Sequence, residues 1–153
     1  MTFWSWALAA YGRPDAAQAC LDLQDSHGQS VPYLLWAAWA AQDGRPLPAS
    51  ALKLGASLAG RWEQAAVGPL RQARRGLKPA FEGVSDPVRE QLRAEVKALE
   101  LKAEEAVMRA LEALAPEPSG APCPVQQALA AAVAAWPCSA PEAALRRLAQ
   151  ALG

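Results

Sequence analysis

Val31 to Ala41 reads VPYLLWAAWAA, a stretch without a single charge. Wound as a helix, it sets Val31, Leu35 and Ala38 on one side, Tyr33 and Ala40 opposite, and Trp36 and Trp39 between. A helix that is apolar all round is buried on most faces. At about 1.5 Å per residue it is too short to cross a bilayer, which takes roughly 20 apolar residues. The stretch is therefore expected to be the central helix of a helical core. Just before it, Leu23-Gln24-Asp25-Ser26-His27-Gly28 carries the only histidine of the chain.

The 153 residues of the chain suit one core, since a chain of that size buries roughly 68–70% of its unfolded surface. Ala and Leu dominate, β-branched residues are sparse, and apolar positions recur at three and four. These features predict an all-α fold, a compact multi-helix bundle around the central helix with a short C-terminal helical pair. Fifteen basic residues balance fifteen acidic ones, so nothing draws the chain generally to nucleic acid or to an anionic membrane. The start, MTFWSWALAAYG, has no basic n-region, and three cysteines are an odd number for a disulfide framework. Both observations point to a cytoplasmic protein with reduced thiols. Cys123 and Cys138 bracket a predicted helix that holds them roughly 20 Å apart, beyond bridging distance.

Capping and breaking residues divide the rest. Thr2 caps a first helix to Tyr11. Pro14 opens a second that ends with His27 before Gly28, and Ser30 caps the central one. A fourth helix begins at Pro48 and is weakened by Gly55 and Gly60, which suit close helix approach. Gly68-Pro69 is read as a break before a fifth helix to Lys78. Asp86-Pro87 opens the longest helix, to Ala115, with an inward stripe of Val88, Leu92, Val96, Leu99, Ala103, Val107, Leu111 and Leu114. Residues 1–115 thus read as a helical bundle domain, 116–124 as a Pro-rich linker and 125–153 as a more loosely attached helical pair. In that pair, Ser139-Ala140-Pro141-Glu142 has the form of a capping box.

Several segments taken together, FWSWALAAYGRP, ACLDLQDSHG, the Trp-rich helix, WEQAAVGPLRQARRGLK and ALELKAEE, resemble the bacterial DUF2390 family over about residues 3–112. The resemblance implies a small bacterial helical protein. It carries over no catalytic residue and no cofactor.

Four side chains mark the clearest candidate surface. Arg71, Arg74, Arg75 and Lys78 recur at three, four and seven, a basic stripe suited to an acidic protein partner or a small anionic ligand. The competing reading is that Glu100 and Glu104, four apart on the long helix, neutralise that stripe across a helix pair. A second candidate is a polar site of Tyr11, Asp25, His27 and the nearest arginines, belonging to a small-molecule binder or an enzyme. It predicts a concave pocket reaching His27. Cys20 shares a helix face with His27, but seven residues is roughly 10.5 Å of axial rise, too far for a thiol and its base. One histidine is also too few for the Glu-x-x-His sets of carboxylate-bridged metal bundles, so no metal is expected. Six tryptophans fill the core of an Ala-rich chain, or else line a helix-binding groove or a homodimer seam. The leading expectation is a non-enzymatic adaptor that offers the basic stripe to an acidic partner.

Overall fold

A computed structural model describes residues 1–153, and its core is laid around the helix that contains Val31 to Ala41. Helix α1 (Phe3–Tyr11) starts where the Thr2 hydroxyl accepts from the Ser5 N–H at 3.2 Å. Helix α2 (Pro14–His27) has Pro in its first turn and ends on Gly28, whose φ of 61° is the left-handed conformation that favours glycine. Helix α3 (Val31–Gln42) is capped by Ser30, and every residue from Tyr33 to Ala41 is buried. Helices α1, α2, α4, α6 and α7 surround it. Encirclement on all sides is what a helix without a polar face requires.

Helix α4 (Ala49–Trp62) crosses α3 where Gly55 meets the Trp36 ring. A Cβ on Gly55 would lie 2.5 Å from Trp36 Cζ3, and that ring is fully buried. At Gly60 the nearest atom to such a Cβ is Trp136 Cη2 at 3.8 Å, an ordinary contact. The two glycines should therefore respond oppositely to alanine. Relief of glycine's helix penalty gives Gly60→Ala about 0.5–1 kcal/mol of added stability. At Gly55 overpacking outweighs the same gain, for a net loss of about 1–2 kcal/mol. Urea denaturation of the two variants checks the signs.

The expected break at Gly68-Pro69 does not occur. A π-helical turn, Glu63–Val67, joins α4 directly to α5 (Gly68–Gly76), with the Gly68 N–H donating to the Glu63 carbonyl. Proline has no N–H and its ring collides with the carbonyl four residues back in an α-helix, so widening the turn lets the chain pass through Pro69 without stopping. A Cβ on Gly68 would sit 2.8 Å from the Glu63 oxygen, which explains the glycine. One extra residue in a turn rotates the remainder of the helix by roughly 100°. That rotation sets which face α5 turns to α6.

Helix α6 (Asp86–Leu114) buries Ala103, Val107, Met108 and Leu111, but the N-terminal part of its predicted inward stripe is not inward. Val88, Leu92 and Leu99 are exposed. Over residues 76–99 only Leu77, Arg89, Arg93 and Val96 are mostly shielded. The face of α6 covered by α5 carries Arg74's partner Glu100, which is buried, so a charge pair anchors α6 here and the apolar row anchors it from Ala103 on.

The C-terminal segment is not loosely attached. The Pro-rich stretch docks on the end of α3, where Ser119 N–H and Gly120 N–H donate to the Gly44 carbonyl and Cys123 N–H to that of Ala41. Helices α7 (Val125–Ala134) and α8 (Glu142–Leu152) then complete the same core as Phe3, Trp36 and Leu111, with Leu129 and Leu148 fully buried. Polar ties reinforce the docking. The Tyr33 hydroxyl donates to the Ala132 carbonyl at 3.0 Å, Trp136 Nε1 donates to the Gly28 carbonyl at 2.8 Å, and Gln29 Nε2 donates to that of Cys138 at 2.8 Å. The capping box at Ser139 does not form: Pro141 is the cap residue and Glu142 pairs with Arg146 instead. All three cysteines are free, and no helix is long and apolar enough to cross a membrane.

Candidate functional site

Where α1, α2 and the start of α3 meet α5 and α6, the packing leaves a cavity of about 290 Å³. Trp4, Leu8, Leu21 and Met108 supply apolar wall. Tyr11, Arg71, Arg74, Glu100 and Glu104 supply the polar part. An apolar enclosure with a few convergent polar groups is the usual form of a small-molecule site.

The polar part is a charge network built by the π turn. Glu63, inside that turn, takes Arg71 Nη1 at 2.7 Å, while Arg71 Nε points at Glu100 Oε1 at 3.4 Å. Arg74 Nε donates to Glu100 Oε2, a hydrogen bond that holds the guanidinium more firmly in its charged form. Glu100 thus sits between two cations with only 9% of its side chain exposed. Glu104 is different. Its nearest cation is Arg71 Nη2 at 3.9 Å, beyond hydrogen-bond length. Burial first, and then the neighbouring charge of Glu100, push its carboxyl up to about 7.

Tyr11 is partly exposed, yet its hydroxyl is set among Cys20, Glu104, Arg71 and Asp25. Burial, with the Cys20 and Glu104 charges next, pushes it well above the ordinary tyrosine range, so it faces the cavity as a neutral donor and acceptor. Cys20 is enclosed, and burial alone pushes its thiol up to about 12. A thiol so fully protonated is a poor nucleophile.

The other expected residues fall outside this cluster. His27 is half-buried in the last turn of α2 and lines neither this cavity nor a second one, also of about 290 Å³, formed by Asp25, Gln29, Glu63 and Arg75 among others. Of the residues expected to form a polar site around His27, Tyr11 lines the cavity with Arg71 and Arg74, and His27 and Asp25 do not. Asp25 pairs with Arg75 at 3.4 Å, both of them more than half exposed, and Lys78 is exposed with no carboxylate within 4.0 Å. Three of the four cations of the stripe therefore hold carboxylates of their own chain. Glu100 and Glu104 are legible in the sequence as candidates to neutralise the stripe. The wall residues Trp4, Leu8, Leu21 and Met108 carry no separate signal, because a residue lining an apolar cavity follows the same helical period as one filling a core.

The chain is thus an all-helical protein with an amphipathic cavity where five helices meet. Residues 2–111 match the family described as protein of unknown function DUF2390, and the chain belongs to that family. The matched region contains every residue of the charge network, while α7 and α8 lie beyond it. No curated protein and no solved structure matches the chain.

Proposed function

We propose that the protein binds a small amphipathic molecule in the cavity between α1, α2, α5 and α6, in the cytoplasm of a bacterium. One observation carries the reading: an apolar-walled space of about 290 Å³ abuts a network in which Glu104 is left without a close cation.

A fragment screen by thermal shift on the full chain tests this. A binder present at ten times its Kd stabilises by about 1.4 kcal/mol, a rise in Tm of about 3–5 °C for a chain of this size. Leu8→Trp and Leu21→Trp add bulk at the rim, where both leucines are substantially exposed and folding tolerates the change. They should abolish the shift. Fragments that bind wild type and both variants alike would place the ligand elsewhere and end this reading.

The alternative is the adaptor that presents Arg71, Arg74, Arg75 and Lys78 to an acidic partner. It is disfavoured because Arg71, Arg74 and Arg75 are already paired. What favours it is the exposed row of Val88, Leu92 and Leu99 on the helix beside Lys78. Charge reversal at the two most exposed cations, Arg75→Glu with Lys78→Glu, should remove an acidic partner without disturbing Glu100.

A further inference from the structure

Resting on the reading of the cavity as a ligand site, we propose that its occupant is an organic cation, an amphiphile whose ammonium head pairs with Glu104 and whose hydrocarbon part lies along Trp4, Leu8, Leu21 and Met108. The charge balance of the network points this way. Three carboxylates, Glu63, Glu100 and Glu104, converge on two guanidiniums, Arg71 and Arg74. With all three ionised, one negative charge is in excess.

Both guanidiniums also hold carboxylates of the chain already. Arg71 spends Nη1 on Glu63 and Nε on Glu100, and Arg74 directs both Nε and Nη2 at Glu100. An anionic ligand reaching the N–H groups left over would face three carboxylates at close range. An ammonium displaces nothing. It gains the one carboxylate whose nearest cation stands at 3.9 Å, and the Tyr11 oxygen lines the same space as a further acceptor. Trp4, on the apolar wall, is a residue type that attracts cations over its ring face. Lys97 lines an exposed groove on the outer side of Glu104 and makes no ion pair with it within 4.0 Å, so it does not occupy the position offered to the ligand.

Binding of a cation also requires Glu104 in its ionised form. The groups facing it are Tyr11 from α1, Glu63 from the π turn, Arg71 and Arg74 from α5, and Glu100 one turn back on α6. With the Glu104 carboxyl pushed up to about 7, affinity for a cation should rise from pH 6 to pH 8. Affinity for an uncharged ligand should not.

The experiment is isothermal titration of the full-length chain with n-hexylammonium, hexanoate and 1-hexanol, which share a tail and differ in the head. The expected result is that hexylammonium binds at least tenfold more tightly than 1-hexanol, loses about tenfold with Glu104→Gln, and gains affinity between pH 6 and pH 8. Binding of 1-hexanol that persists in the same Glu104→Gln protein and is lost with Leu21→Trp shows that the cavity survives the substitution. If hexanoate binds as well as hexylammonium or better, and Leu21→Trp abolishes it, the cation assignment is overturned while the cavity reading stands. If none of the three probes binds in a Leu21-dependent way, both fall.

Discussion

Leu148→Ala should lower the stability of the entire molecule by about 3 kcal/mol, and do so within a single unfolding transition. Leu148 lies on α8, in a segment of the chain beyond a Pro-rich stretch, yet it is fully buried and belongs to the same cluster as Leu23, Trp36 and Leu111. Removing its branched end leaves a cavity lined by residues already held on all sides, which is the case in which the cost is largest. Leu129→Ala on α7 should behave alike, since that residue is also wholly enclosed. By contrast Leu92→Ala, at an exposed position of α6 and neutral in helix propensity, should stay within about 0.5 kcal/mol. Urea denaturation monitored both by tryptophan fluorescence, which sums six indoles from Trp4 to Trp136, and by far-ultraviolet circular dichroism separates the outcomes. Coincident transitions moved together by Leu148→Ala make α7 and α8 part of one cooperative unit. Two separated transitions, with only the first moved by Leu148→Ala, would show a tail that unfolds by itself.

There is a physical reason why composition makes the C-terminal pair look loosely attached. It reports the conformational freedom of the Pro-rich stretch but not its hydrogen bonds, and Ser119, Gly120 and Cys123 dock through backbone N–H groups on carbonyls near the end of α3. The elements with local signals are legible in the sequence. The central helix comes from a run with no polar face, and α2 begins at Pro14 and ends before Gly28 as those two residues dictate. Where the deciding contact is distant, the sequence reads differently from the fold. Gly68-Pro69 carries the local mark of a stop, but the widened turn keeps the helix going and points Arg71 and Arg74 at Glu100, some thirty residues on. The stripe from Val88 to Leu99 has the period of a helix, and period does not say which neighbour, if any, covers it. The candidate site divides in the same way. Tyr11 and the arginines stand out by residue type and spacing, whereas His27 stands out by its chemistry alone and lies off the cavity.

Within the charge network, two glutamates one turn apart should respond in opposite directions. Glu100→Gln is expected to cost about 3 kcal/mol, because it leaves Arg71 and Arg74, both largely shielded, without the carboxylate they share. Arg71 keeps Glu63, which holds the loss toward the lower end for a broken buried pair. Exposed pairs on the same chain, such as Arg109 with Glu105, should each contribute less than about 1 kcal/mol. Glu104→Gln should instead stabilise the protein in alkaline solution. Folding lifts the Glu104 carboxyl from 4.5 to about 7, so the folded state holds that proton more tightly than the unfolded one. The stability associated with the bound proton is fully present below about pH 4.5 and is lost as the pH rises through about 7. Glutamine never ionises and escapes that loss. Since 31% of the Glu104 side chain reaches solvent, screening reduces the difference to about 1–2 kcal/mol at pH 8, with little difference near pH 4.5. Urea melts of wild type and both variants at pH 4.5 and pH 8 measure the pair. A Glu104→Gln protein less stable than wild type at pH 8 would mean that this carboxylate already has its partner within the fold, and the cation proposed for it would then have no vacancy to fill. A more stable one identifies Glu104 as a charge that the folded chain tolerates at a cost in stability, as groups held for binding commonly are.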